Sequence, residues 1–197
     1  MSYSIEVRSG STVRLPTKGK ACYRDIVITA TGGEVDTSVE DALLTGTLQE
    51  YTNERIIQLR GYAFVEQRGL ESVTLPNAEL LEGYNFYYCT ELMSVDISST
   101  TQIPQYAFEG CKLLRMLCLP MVTQIARRAF YGCKALNTLV LRSPQVVTLS
   151  SQDAFMQTLF QTSGGRIYVP QELIESYQAA TNWSALYAAG ACEFLPL

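Results

Sequence analysis

The chain has 197 residues, long for one compact domain at about 150 residues each and short for two, so one elongated unit or a core with a small appendage is expected. Charged residues make up 17% and apolar residues 47%, which excludes disorder and leaves ample material for a buried core. The net charge of −4 argues against a general nucleic-acid binder, and the absence of histidine removes the Ser-His-Asp triad, the Cys-His dyad, the HExxH zinc helix and His-containing zinc fingers.

Residues 1–35 read as a small N-terminal β segment. Ile5-Val7, Val13-Leu15 and Ile26-Ile28 alternate with polar neighbours, and Gly32-Gly33 ends the run. So few apolar residues require a partner, either one end of the rest of the chain or another chain. The start, MSYSIEVRSGSTVRLP, lacks a cationic stretch followed by an apolar one, so it does not read as a secretory signal. No segment approaches ~18 uninterrupted apolar residues, and no membrane insertion is expected. Residues 36–55 read as a cap or linker: Ser38 is an N-cap with Asp41 at capping-box distance, opening a short helix over Val39–Leu44, and TLQEYTNE (47–54) reads as an opening strand.

From residue 56 the chain repeats itself. Phe64, Phe86, Phe108 and Phe130 recur every 22 residues, and Phe155 follows after 25. The units are LRGYAFVEQRGLESVTLP (59–76), LEGYNFYYCTELMSVDIS (81–98), IPQYAFEGCKLLRMLCLP (103–120) and IARRAFYGCKALNTLVLR (125–142), with a divergent fifth from Leu149 to RIYVP (166–170). Leu70, Leu92, Leu114 and Leu136 share a column, as do the pairs Val73/Leu75, Val95/Ile97, Leu117/Leu119 and Leu139/Leu141. Two apolar positions spaced by two make a short strand with one face inward. Phe plugs the interior, Ala sits where backbones crowd, and Gly110 and Gly132 permit tight turns. No unit buries its own face, so stacking makes the core. The fold class predicted over 56–170 is an α/β repeat solenoid of about five 22-residue rungs. A parallel sheet lies on one face, short helical, 3-10 or irregular returns lie on the other, and both ends are capped.

Residues 171–197 read as a C-terminal helical cap. Pro170 precedes a helix over 171–180 with Leu173, Ile174 and Tyr177 on one face; Trp183 and Leu186 extend the cluster, and CEFLPL is a final strand.

The blocks AFEGCKLL and AFYGCKAL, each followed by LCLP or LVLR, resemble the BspA-type leucine-rich repeat of surface and secreted proteins of anaerobic bacteria. Gln67 in the Cys column and Asn85 in the Ala column depart from it. The resemblance implies adhesion to host or neighbouring cells, at the surface or outside the cell. LPTKGKACYRDIVITATGG, EVDTSVEDALLTGTLQEYTNERI and IYVPQELIESYQAATNWSAL are similar to segments of prophage-encoded proteins of gut anaerobes. That likeness implies the alternative, a structural or attachment component of a prophage particle or related assembly, virion-associated or cytoplasmic, with residues 1–55 as the attachment piece.

Chemistry is sparse. Cys89, Cys111 and Cys133 form one column, but a straight ladder does not converge on a metal and holds its Cβ atoms too far apart for disulfides, so buried small thiols are expected, with no metal and no cofactor. Cys118 points outward as a free thiol. Carboxylates such as Asp96 lack an acid partner, phosphate-loop and nucleophile-elbow motifs are absent, and no enzymatic activity is expected. Three surfaces are candidates for a protein or glycan ligand. The sheet face carries Ser72, Ser94, Met116, Thr138 and Arg166 in one column and Thr74, Asp96, Cys118, Val140 and Tyr168 in the next. The return side carries Tyr62, Tyr84 and Tyr106, with Tyr87, Tyr88 and Tyr131 a few residues on, serving either as an interface or as cover for neighbouring backbone. Residues 103–142, net +5, hold Lys112, Arg115, Arg127, Arg128, Lys134 and Arg142, a candidate site for an anionic partner, against net −4 over 59–102.

Overall fold

The computed structural model describes residues 48–59, 61–162 and 164–197, and the backbone of four strands before them: Glu6–Val7, Ser11–Leu15, Ile26–Ala30 and Gly33–Glu34. The helix expected over Val39–Leu44 lies outside the described residues.

The 22-residue period is the register of the sheet. Glu50–Thr52, Ser72–Thr74 and Ser94–Asp96 pair in parallel, with Tyr51 opposite Val73 and Val73 opposite Val95. Met116–Leu119 pairs likewise with Thr138–Leu141, Leu117 facing Leu139. The fifth unit is longer. Its extra residues form two 3-10 turns, Gln152–Phe155 and Leu159–Gln161, before the chain returns to the ladder as Gly165–Val169, Ile167 facing Leu139. Cys192–Pro196 adds a last parallel strand beyond it. The alternation of apolar and polar residues sets which side is core: Val73, Leu117, Leu139 and Ile167 are buried while Met116 and Cys118 face out.

A second, narrower parallel ladder runs along each rung's corner. Its strands are only two to four residues long: Ile56–Leu59, Leu80–Leu81, Gln102–Ile103, Gln124–Ile125 and Thr148–Leu149. Ile26–Ala30 pairs antiparallel with both Ser11–Leu15 and Ile56–Leu59, so the N-terminal hairpin docks its backbone on this ladder.

Both ladders are interrupted at the same level, between the second and third 22-residue units. In the corner ladder the cause is one residue. Glu82, Ala126 and Ser150 each donate an N–H to the preceding rung, to Leu59, Ile103 and Ile125, all at 2.9 Å. The matching residue of the third unit is Pro104, which has no N–H to donate. In the main sheet Ser94–Asp96 and Met116–Leu119 belong to separate ladders, and Val95 is only half-buried where Val73 and Leu117 are 1% exposed. The return side carries straight across, Phe86 N–H donating to Ala107 O at 2.8 Å and Tyr88 N–H to Glu109 O at 2.7 Å.

Inside, Phe64, Phe86, Phe108, Phe130 and Phe155 form one column of near-parallel rings 5.0 to 5.5 Å apart, each 1% exposed or less. Its ends are closed by aromatic caps. Tyr51 tilts against Phe64 at 5.1 Å, and Trp183 lies 5.8 Å from Phe155. The C-terminal helices Ile174–Ala179 and Trp183–Ala188 also satisfy the last rung. Trp183 Nε1 donates to the Val147 carbonyl at 2.7 Å, Val147 N–H donates to Tyr177 Oη at 3.0 Å, and Asn182 Nδ2 donates to the Leu149 carbonyl at 2.7 Å. Buried peptide groups at an open solenoid end need such partners, and here side chains of the cap supply them.

Candidate functional site

The sheet face presents the two columns read from the sequence. Ser72 and Thr74 stand beside Ser94 and Asp96; Met116, Thr138 and Arg166 form one row beyond, and Cys118, Val140 and Tyr168 the other. The ladder interruption divides these columns into two patches. Polar groups on this face are partly engaged: Asp96 Oδ1 accepts the Ser98 N–H at 3.1 Å, and Thr138 Oγ1 bonds Asn137 Oδ1 at 2.9 Å. Met93, Met116 and Met121 are half or more exposed and give the face an apolar edge.

The thiol column is internal. Cys89, Cys111 and Cys133 donate their S–H to the carbonyls of Phe64, Phe86 and Phe108 at 3.0, 3.1 and 3.0 Å, each reaching back one rung. A small side chain with one weak donor meets both demands of that position, volume and a carbonyl to satisfy. All three are free thiols. Burial pushes the Cys89 thiol up to about 12, Cys111 well above its ordinary value, and Cys192 to about 11. Cys118 is exposed. In a Cys22→Ser background, a maleimide is therefore expected to label one thiol of the native protein, Cys118, and four more only after denaturation. Mass spectrometry after brief labelling at pH 7.5 checks this, and modification of Cys89 in the native state would contradict the packing described.

The return side is built on left-handed backbone. Tyr62, Tyr84, Tyr106 and Arg128 have φ of 65°, 64°, 60° and 53°, one per rung, and four residues on Glu66, Tyr88, Gly110 and Gly132 have φ of 55°, 57°, 79° and 72°. A non-glycine residue held there costs on the order of 1 kcal/mol, and the rung-to-rung bonds of the return impose it repeatedly. The consequence is a second aromatic stack, outside the core. Tyr62 lies 4.8 Å from Tyr84, Tyr84 lies 4.6 Å from Tyr106, and the Arg128 guanidinium continues the line 5.9 Å from the Tyr106 ring and 5.0 Å from Tyr131. Tyr87 and Tyr88 lean together at 4.6 Å, and Tyr87 sits 5.5 Å from Tyr84. Desolvation, then the neighbouring ring and carboxylate groups, raises the phenols of Tyr84 and Tyr87. Tyr62 and Tyr88 remain more than a third exposed.

The six cations named in the sequence divide among different places. Arg127 and Arg128 converge on Asp153 of the fifth unit, at 3.3 and 3.7 Å. Asp153 carries no mark in the sequence of standing beside them, because its unit follows at 25 residues instead of 22. Arg115 precedes the strand Met116–Leu119 and Arg142 follows Thr138–Leu141. Lys112 and Lys134 line a cleft on the return side together with Tyr88, Tyr131 and Glu109. Glu109, the one acidic residue of 103–142, is 8% exposed, and its Oε2 has no hydrogen-bond partner. Burial pushes its carboxyl up and the Arg128 guanidinium opposes that. Among the described residues no three of the Cys, Asp and Glu side chains gather as metal ligands, and no helix is long and apolar enough to cross a membrane.

No curated protein matches the chain. A crystal structure of a leucine-rich repeat protein from Bacteroides ovatus is similar over 77% of this chain, with 21% identity and a TM-score of 0.53; the match covers 37% of that protein, so this chain spans little more than a third of its length. Six copies of the BspA type leucine-rich repeat region match residues 48–163, which takes in the opening strand Glu50–Thr52 as well as the units that follow. With that match over more than half its length, and with the parallel 22-residue rungs that carry it, the chain belongs to the BspA-type leucine-rich repeat family.

Proposed function

We propose that this chain is a non-enzymatic recognition module that holds a protein or glycan against its repeat surface, in adhesion to host or neighbouring cells. The observation that carries the reading is the external tyrosine stack. Tyr62, Tyr84, Tyr106 and Arg128 are held in line by left-handed backbone that is costly to maintain, Tyr88 shares that conformation beside them, and Tyr62 and Tyr88 keep exposed faces. A ring already fixed by its neighbours gives up little entropy on binding, and tyrosine offers apolar area with a polar tip. An array of glycans and extracellular-matrix proteins probed with the intact chain tests this. At least one bound class is expected, with the signal lost at least tenfold in Tyr62→Ser/Tyr88→Ser, two exposed positions whose replacement leaves the Phe column intact. No bound class, or binding indifferent to those tyrosines and to the sheet-face columns alike, would remove the reading.

A further inference from the structure

The column that begins at Glu66 repeats one backbone conformation down the return side and fills it unevenly. Its members are Glu66, Tyr88, Gly110, Gly132 and Gln157, all with φ between 55° and 79°. Glu66, Tyr88 and Gln157 show that the position accepts a large side chain despite its left-handed backbone. The two consecutive glycines therefore do more than permit a turn: the Tyr88 ring leans over Gly110, where an added Cβ would meet it at 3.1 Å, and Gly132 leaves the layer of side chains open beside it. The gap is a cleft of about 190 Å³. Its floor is Gly110 and Gly132, bonded in rung order as Gly110 N–H donates to Tyr131 O at 2.8 Å and Gly132 N–H to Met156 O at 2.9 Å. A Cβ on Gly132 would have nothing nearer than 3.8 Å, so it would stand in the gap. Tyr88 and Gln157 close the ends along the column. Glu109 and Tyr131 are the side wall toward the tyrosine stack, and Lys112 and Lys134 are the opposite side.

The geometry points to this cleft as a subsite for one hexuronate unit of a glycan, a single pyranose ring carrying a carboxylate. The inference rests on the recognition reading above and names its ligand. Three features select the ligand. Glu109 lines the cleft with a carboxylate that is 8% exposed and whose Oε2 has no hydrogen-bond partner, and a largely buried acceptor left unpaired is a standing cost that a hydroxyl seated against this carboxylate relieves. Tyr131 is fixed by a 2.9 Å bond from Gln157 Nε2 to its hydroxyl, and with Tyr88 it offers ring surface of the kind that the apolar face of a pyranose covers. Lys112 and Lys134, stacked one rung apart, supply six N–H donors and two charges for an anion at the open side. The volume is below the ~300–1,000 Å³ of pockets for drug-sized ligands, so it suits one ring. An acidic peptide would meet the lysines and leave Glu109 facing like charge. A neutral sugar would satisfy Glu109 and leave the lysines unused.

The test is titration calorimetry of the full chain with trigalacturonate, a hyaluronan tetrasaccharide, galactotriose and pentaglutamate. One or both uronate probes are expected to bind at least tenfold tighter than galactotriose or pentaglutamate, and to weaken with salt. Gly132→Asn fills the cleft with the residue best suited to a φ of 72° and should reduce that binding at least tenfold while the melting temperature stays within a few degrees. Lys112→Ala/Lys134→Ala is the second variant, with no backbone change, and should remove the preference for the acidic sugar. Failure of both uronate probes, equal affinity for galactotriose, tighter binding of pentaglutamate, or uronate binding untouched in either folded variant would overturn the assignment. A ligand found on the array in the face of such a failure would leave the recognition reading standing and this subsite refuted.

Discussion

Phe108→Ala is expected to cost ~3–5 kcal/mol of stability, the range for emptying a large aromatic from a packed core. Phe108 is fully buried, 5.0 Å from Phe86 and 5.5 Å from Phe130, and its carbonyl accepts the Cys133 thiol. The rings above and below are fixed by their own rungs and cannot close the space. The sheet ladder is broken between the 81–98 and 103–120 units, so the ring stands with the Tyr84–Tyr106 stack and the return-side hydrogen bonds among the contacts that join them. Urea unfolding of the two proteins checks the figure. A loss under 1 kcal/mol would mean that the column does not hold the rungs together.

Removing residues 103–124, a whole period, is expected to leave a folded solenoid one rung shorter. Excision brings the unit at 81–102 onto the unit at 125–146, Phe86 against Phe130 and Ser94–Asp96 against Thr138–Val140. Pro104 leaves with the excised rung, and Ala126, whose N–H donates to Ile103 in the intact chain, takes the place opposite Leu81. Both the ring column and the corner ladder therefore survive the operation. Removing eleven residues, 103–113, sets strand against return and turns apolar columns to solvent, and cooperative unfolding should disappear. Thermal melting followed by far-UV circular dichroism distinguishes them. Equal melting of the two deletions would sink the 22-residue register.

The main sheet and the internal columns were legible because a stacked repeat turns sequence intervals into neighbours. Once Phe64, Phe86, Phe108 and Phe130 are aligned, the pairing of Met116 with Thr138 and Thr138 with Arg166 needs only the pattern of a strand. The corner ladder was not legible, since strands such as Leu80–Leu81 are too short to show alternation. The tyrosine column was found by alignment, yet its left-handed backbone was not. Tyrosine carries no mark of that conformation; it is imposed by bonds such as Tyr84 N–H to the Gln105 carbonyl, one rung away. Gly110 and Gly132 were read as turn residues, and their positive φ agrees. The cleft above them is a different property of the same letters. It shows only when the glycines are set beside Glu66, Tyr88 and Gln157 and read as side chains that are missing.

The interrupted ladders have a mechanical consequence. A solenoid with every strand bonded to the next behaves as a uniform rod, and bending is shared along its length. Here one level lacks ladder pairing, between Ser94–Asp96 and Met116–Leu119 and between Leu80–Leu81 and Gln102–Ile103, while the return side remains laced, Phe86 to Ala107 and Tyr88 to Glu109. The rod therefore has a single compliant joint with its pivot under the tyrosine stack. A load along the axis opens the sheet face at that joint, separating Ser94–Asp96 from Met116–Leu119, before it disturbs the other rungs. The return side, on the inside of that bend, changes its curvature least.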